Sequence, residues 1–264
     1  MTEGDAIAWL SQRLEERVGL RDHPTQRGFV KAQLKRRLYE LGLEGVQAYV
    51  RYLLAEGERE WRVLYDRLAI HESRFFRHRP SFSLIEEVLL PRWRNTHRPI
   101  RVWSVGCARG EEPYSLAMTL YAPLKGRFCV FANDISLDCL RAAKAGLYPR
   151  RRLEDVPWMF RHHFHRTDAG LYRLAPKIRQ GVAFFCANVL ARIGVAVESM
   201  DLIVCQHLLT YLRQNARLAV LARLTARLRK GGSLVLSPGE VASWCPPGMS
   251  RIPYPGTLAF RKEP

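Results

Sequence analysis

The sequence predicts an α/β fold. A small all-helical N-terminal domain over residues 1–90 precedes a doubly wound, mostly parallel sheet over residues 91–264, with a small antiparallel β insertion around 150–185. Three observations predict it. Apolar residues recur at helical spacing through the first third of the chain. From Ile100 onward, short apolar runs alternate with helical segments, the pattern of strands joined by crossover helices. Residues 150–181 break that alternation with RRR, HHFH, a TDAG turn and the short strand-like runs LYRLA and KIRQGVAFF.

In the first unit the helical rows are Ile7, Leu10, Leu14 and Val18, then Leu34, Leu38 and Leu41, then Val46, Tyr49, Val50, Leu53 and Leu54, then Trp61, Leu64 and Leu68. Gly42 and Gly57 fit helix ends, and Pro80 fits the first turn of a helix over 81–90. PRWRNTHRP, residues 91–99, reads as the connection to the second unit. There IRVWSVG is a buried strand, EEPYSLAMTLYAPL a helix, RFCVFAND a strand and SLDCLRAAKAGLY a helix. GVAFFCANVL and MDLIVCQHL are further strands, and residues 214–229 form an arginine-rich amphipathic helix. Lys230-Gly231-Gly232 reads as a turn before the strand SLVLSPGE, and TLAFRK as the last strand.

With 264 residues, 47% of them hydrophobic, the chain can bury a sizeable core. It has no apolar run of the roughly 20 residues that span a bilayer and no secretory signal at its start, so a cytoplasmic protein that is not membrane-inserted is expected. The six cysteines form no CxxC pair and none sits near histidine at zinc spacing, so no metal is expected. The formal charge of +17 is unevenly spread. Residues 1–90 carry 15 Lys and Arg against 14 Asp and Glu, whereas residues 91–264 carry 27 against 11. Such a field favours an acidic partner without choosing between protein, lipid and nucleic acid; a solvated arginine-rich surface accounts for part of it.

The first strand runs into Val105-Gly106-Cys107-Ala108-Arg109-Gly110-Glu111-Glu112. Glycines at this place let a ligand approach the backbone closely. The run is neither a dinucleotide fingerprint nor a phosphate loop, and it carries no lysine. Two carboxylates opening the next helix would repel a phosphate and suit a cationic ligand with an amino group, such as S-adenosylmethionine. Asp134 ends the second strand, where an acid typically accepts from ribose hydroxyls, and Asn188 follows a later strand, where it could meet the adenine edge. Either could alone be a turn or capping residue; their joint placement at strand ends favours a cofactor site.

These residues resemble a known family. Ser104 through Ser115, with GEEPYS after a strand, looks like the signature of the chemotaxis-receptor glutamate methyltransferases, the CheR family. Glu72-Ser73-Arg74-Phe75-Phe76-Arg77, Asn133-Asp134-Ile135 and Cys205-Gln206-His207-Leu208-Leu209-Thr210-Tyr211-Leu212 resemble its other motifs, in order, from about residue 26 to about residue 240. The resemblance implies a helical domain on a Rossmann-like class I methyltransferase domain with an inserted β-subdomain. It implies methyl transfer from S-adenosylmethionine, leaving S-adenosylhomocysteine, to glutamates on the cytoplasmic helical domain of a membrane chemoreceptor. By position, cofactor contacts fall on His71, Ser73, Arg77, Glu111, Asp134, Asn188, Val189, Gln206 and His207, beside Gly106 of the loop. Arg77 and Tyr211 are the candidates for orienting the acceptor carboxylate.

Three departures stand out. His71 replaces asparagine, Gln206-His207 replaces Arg-Asn, and Ser237-Pro238-Gly239-Glu240 replaces Gly-His-Ser-Glu. The variant Glu72 to His78 looks closer to the branch serving type IV pilus (twitching) chemosensory systems. Arg27, Lys31 and Lys35 repeat every four residues along one helix face; this is either a solvated face or, as the family's receptor-reading helix falls here, a docking stripe for an acidic receptor coiled coil. Two rival readings remain: a methyltransferase with another acceptor such as RNA, though no nucleic acid partner is expected because no RNA-binding module or base-methylating motif is present, and a cofactor-binding regulator without turnover.

Overall fold

The computed structural model describes residues 2–21, 24–69, 72–191, 193–241 and 244–263. Helices α1 (Glu3–Val18), α2 (Pro24–Leu41), α3 (Gly45–Glu56) and α4 (Glu58–Leu68) form the first unit. Their buried rows, among them Leu10, Leu14, Leu34, Tyr49, Leu53 and Leu64, make one core of their own. Thr2 and Asp5 close a reciprocal capping box at the start of α1. Gly19 ends that helix at φ 68°, where a Cβ would meet Leu190 and Ala216 at 2.6 and 2.7 Å. Glu60, only 2% exposed, accepts from Arg37 through both oxygens (2.9 and 2.7 Å) and from the Tyr49 hydroxyl (2.9 Å).

Helix α5 (Arg79–Leu84) passes through a π turn (Ile85–Leu89) into α6 (Leu90–Trp93), so the helix expected over 81–90 continues past Pro91. Pro91 has no N–H to give the preceding turn, and the widened π turn just before it accommodates the ring. Phe82, Leu84, Leu89 and Trp93 bury into the core of the second unit. By packing, therefore, the units divide near residue 70, because the core of the first ends at Leu68.

The second unit begins with β1 (Ile100–Val105), α7 (Glu111–Tyr121), β2 (Phe128–Asp134) and α8 (Leu137–Ala145). The insertion follows: β3 (Leu147–Tyr148), β4 (Phe164–Arg166) and β5 (Tyr172–Leu174) form an antiparallel sheet of order β3-β5-β4. KIRQ, expected to be strand-like, belongs instead to the short helix α9 (Pro176–Arg179), which opens on a proline; the strand after it, β6 (Val182–Cys186), joins the main sheet. Then come β7 (Met200–Cys205), α10 (Gln214–Arg227), β8 (Leu228–Leu236), β9 (Met249–Ile252) and β10 (Leu258–Lys262). The seven-stranded order is β6-β2-β1-β7-β8-β10-β9. The first five strands are parallel, and β10 runs antiparallel to both its neighbours.

The expected turn at Lys230-Gly231-Gly232 is a bulge inside β8, where pairing jumps from Met200↔Leu228 to Leu202↔Ser233. Gly231 takes φ 73°, and a Cβ at Gly232 would meet the carbonyls of Arg229 and Met200 at 2.9 Å, so the two glycines absorb the extra residues. At the opposite ends of β1, β2 and β7 the chain turns into the loops that carry the site.

Candidate active site

The β1–α7 loop is built around Asp134. Its Oδ2 accepts from the Ala108 N–H (2.8 Å) and its Oδ1 from the Ser136 N–H (2.9 Å). One side chain thus fixes both the turn after β1 and the turn after β2. Gly106 takes φ 74° and Ala108 φ 45°, so the loop holds left-handed backbone beside the cleft. Gly106, Ala108 and Asp134 all line that cleft.

Successive residues on a helix point about 100° apart, and the two glutamates that open α7 diverge accordingly. Glu111 is 1% exposed and does not line the cleft; its Oε1 lies 3.6 Å from Arg152, and its buried Oε2 meets no hydrogen-bond geometry among the described residues. Burial raises its carboxyl above the ordinary range, against the pull of its backbone N–H, Arg152 and Ser73. Glu112 is the one that lines the cleft. It accepts from the Ser104 hydroxyl (2.7 Å), and burial pushes it up to about 7. The sequence motif contains both acids, and only the helix phase separates them.

The segment after α4 brings Ser73 and Arg77 to the same cleft. Phe75 is fully buried, edge-on to Tyr148 and Phe164, and Phe76 stacks on Phe160. Phe76 sits at φ 52° with its N–H on the Ser115 hydroxyl (3.0 Å). This anchored pair, strained at Phe76, delivers Arg77, which donates to the Glu72 carbonyl (2.7 Å). Ser73 is 8% exposed, and its carbonyl accepts from Arg152. His71 lies outside the described residues.

Gln206, His207 and Tyr211 enter from the end of β7. The Gln206 amide donates to the Ser81 hydroxyl (2.9 Å) and more weakly to the Leu236 carbonyl. His207 adopts φ 58°, its N–H bonds Ser237 Oγ (2.9 Å), and among the described residues its buried Nε2 has no hydrogen-bond partner. Burial, with Arg77 and His78 nearby, lowers its imidazole to about 4, so it is neutral at pH 7. Burial also raises the Tyr211 phenol. Glu240 ties this loop to the end of β8 by accepting from the N–H groups of Thr210 and Ser237.

A second lobe of the cleft, reached past Asp134, is lined by Asn188, Val189, Leu190 and Leu208. Asn188 is spent partly on the fold: its amide donates to the Arg17 carbonyl (2.6 Å) and its oxygen accepts from the Leu190 N–H (2.9 Å). An amide has two donors and two acceptor sites, so among the described residues one of each is uncommitted. Helix α1 also roofs the cleft. Val18 and Leu20 line it, and Arg21 N–H donates to the Tyr211 carbonyl (2.8 Å) while Arg213 N–H donates to the Gly19 carbonyl (2.9 Å). Nothing in the spacing of the sequence signals this pairing, which joins residues almost 200 positions apart. Arg27, Lys31 and Lys35 are exposed on α2 and do not line the cleft.

Residues 5–69 match the all-alpha domain of CheR methyltransferases, and residues 71–245 match their SAM-binding domain. The chain belongs to the CheR methyltransferase family. It is 32% identical to the chemotaxis protein methyltransferase of Escherichia coli over 241 residues, 88% of this chain and 82% of that protein. It is equally identical to chemotaxis protein methyltransferase 2 of Pseudomonas aeruginosa over 230 residues, 84% of this chain and 81% of that protein. The probable biofilm formation methyltransferase WspC of the same organism is 28% identical over 94% of this chain and 60% of its own length. As a CheR methyltransferase the chain is an S-adenosylmethionine-dependent enzyme of chemotactic adaptation. The cleft fits that cofactor: its acids Glu112 and Asp134 suit a cation bearing hydroxyls, and the apolar Val189, Leu190 and Leu208 suit a flat base. Among the described residues, no helix is long and apolar enough to cross a membrane.

Proposed function

We propose that the enzyme transfers the methyl group to glutamate side-chain carboxylates on the cytoplasmic helical domain of a membrane chemoreceptor, forming glutamate methyl esters. The observation that carries this reading is the convergence of Arg77 and Tyr211 on the cleft that Glu112 and Asp134 also line. A guanidinium and a phenol suit a carboxylate acceptor, whereas two acids suit a cationic donor. A glutamate is ionised at pH 7 and needs no general base. When bound, the cofactor supplies an electrophilic sulfonium methyl group and leaves as neutral S-adenosylhomocysteine.

Catalysis then reduces to alignment and exclusion of water. Asp134 holds the ribose hydroxyls, and Glu112, Ser73 and the Gly106 backbone border the methionine end, with Glu111 behind them. Asn188 and Val189 border the base. Arg77 and Tyr211 orient the acceptor oxygen, with Gln206 and the neutral His207 bounding its space. A carboxylate oxygen forms the new bond to the methyl carbon, the carbon–sulfur bond breaks, and its electron pair stays on sulfur. Assignment to the pilus-linked branch rests on the Glu72–His78 variant alone.

The test is transfer of labelled methyl to receptor cytoplasmic fragments, followed by mild alkali. An ester releases the label as methanol. Label that survives alkali, or that partitions with RNA, refutes the carboxylate acceptor; cofactor binding without transfer favours a regulator.

A further inference from the structure

A relay of side chains joins the two segments that bring Arg77 and Tyr211 to the cleft. The Gln206 amide donates to Ser81 Oγ (2.9 Å) across 125 positions of chain, and Ser81 Oγ lies 2.8 Å from His78 Nδ1. Ser81 is 2% exposed, and its own N–H closes the first turn of α5 onto the His78 carbonyl (3.0 Å). His78 lines the cleft with Arg77, His207 and Tyr211. We propose, on the reading of a carboxylate acceptor given above, that His78 is a further acceptor-orienting residue. Its Nε2–H donates to the glutamate carboxylate, and Ser81 and Gln206 position it by fixing which ring nitrogen carries the proton.

Each proton in the relay has one place to go. The Gln206 amide nitrogen also reaches the Leu236 carbonyl (3.4 Å). A carbonyl only accepts, so the nitrogen end of the amide is the one that faces Leu236 and Ser81. Ser81 Oγ therefore accepts from Gln206 and keeps one proton to give. Among the described residues, His78 Nδ1 is the other atom bonded to that hydroxyl. Were the ring proton on Nδ1, the hydroxyl proton would stay buried without an acceptor, which is costly. Ser81 thus donates to Nδ1. Burial holds the imidazole below its ordinary 6.5, so at pH 7 the ring is neutral and its one proton falls on Nε2. Among the described residues Nε2 has no hydrogen-bond partner.

A neutral donor suits the acceptor. Arg77 already brings positive charge, with one nitrogen held by the Glu72 carbonyl (2.7 Å). One carboxylate oxygen must keep a lone pair for the methyl carbon, and a second cation would draw off the charge that attacks. An imidazole N–H holds the carboxylate in line without neutralising it. His78 also follows Arg77 directly in the chain, whereas the acids that suit the cofactor, Glu112 and Asp134, come from α7 and β2.

Nitrogen-15 NMR of histidine-labelled enzyme reads the tautomer: wild type should carry the His78 proton on Nε2, and Ser81→Ala should give a mixture. Steady-state methyl transfer to a receptor cytoplasmic fragment reads the consequence, with calorimetric binding of S-adenosylhomocysteine as the folding control. His78→Ala should lower kcat/KM roughly 10- to 100-fold, the loss of one hydrogen bond to a charged group, with product affinity unchanged. Ser81→Ala should lower it about 3- to 10-fold, as losing a neutral hydrogen bond does. In the His78→Ala background Ser81→Ala should have no further effect, because it acts only through the ring; a merely structural serine would add its own cost. A proton on Nδ1 in wild type, His78→Ala at wild-type efficiency, or a His78→Ala enzyme whose whole loss is in product affinity overturns the proposal. If His78→Ala does not fold, the wild-type tautomer and the Ser81→Ala kinetics decide it. A wild-type enzyme that methylates no receptor fragment overturns the acceptor reading and the proposal with it, a different result from active enzyme indifferent to His78.

Discussion

Asp134→Ala tests the cofactor site and the loop that builds it together. Asp134 is 9% exposed, and each of its oxygens accepts one backbone N–H, from Ala108 at 2.8 Å and Ser136 at 2.9 Å. A hydrogen bond to a charged group contributes about 1.5–3 kcal/mol, so losing these two costs up to roughly twice that. Water entering the open cleft recovers part of it, which leaves a destabilisation on the order of 2–4 kcal/mol. For a chain of this size that lowers Tm by roughly 4–16 °C. The ribose hydroxyls lose their acceptor as well, which weakens S-adenosylhomocysteine binding by about 1–3 kcal/mol, roughly 5- to 150-fold. Asp134→Asn retains one acceptor oxygen and should fall between wild type and alanine on both axes. Thermal unfolding and titration calorimetry read the two effects separately. Unchanged product affinity in the alanine variant, with the protein folded, would refute the site; an unchanged Tm would refute the loop-pinning role.

Glu60→Ala leaves the Arg37 guanidinium and the Tyr49 hydroxyl facing an empty site, and should cost about 3–5 kcal/mol, as breaking one side of a buried ion pair does; chemical denaturation showing less than about 1 kcal/mol would contradict the buried pair. Glu112 has a folded-state value raised from an ordinary 4.5 to about 7. Its contribution to stability is therefore full below pH 4.5 and is lost as pH rises through 7, because the unfolded chain releases that proton earlier. A cation in the cleft reverses the shift, so S-adenosylmethionine binding near pH 6 should expel a proton and give heats that depend on the buffer. Glu112→Gln should abolish that dependence, and buffer-independent heats in the wild-type protein would count against Glu112 facing the cofactor.

The sequence carries the elements whose pattern is local. The strands β1 and β2 and the helices α7 and α8 are evident because β1 and α7 bury nearly every residue while β2 partly alternates and α8 buries one face, and GEEPYS marks the junction of the first strand with its helix. What escapes is what depends on contacts far along the chain. β9 is four residues between proline-rich turns, and only its pairing with β10 makes it a strand. The choice of Glu112 over Glu111 is set by helix phase against a cleft that exists only after folding. Asn188 looks like a base contact, yet its amide also donates to the Arg17 carbonyl and straps α1 to the loop after β6. The roof at Val18 and Leu20 requires Gly19 to pass within van der Waals reach of Leu190 and Ala216. The stripe on α2 is plain as a repeat, whereas the bond from Gln206 to Ser81 becomes visible only once the end of β7 stands beside α5.

The most direct test of the central claim is tandem mass spectrometry of a receptor cytoplasmic fragment after incubation with the enzyme and S-adenosylmethionine. Added methyl groups are expected on glutamate side chains of the receptor helices, lost after mild alkali and absent with Arg77→Ala or Tyr211→Phe enzyme that still binds S-adenosylhomocysteine. Methyl groups on other side chains, or a receptor fragment left unmodified by enzyme that binds the cofactor, would contradict it.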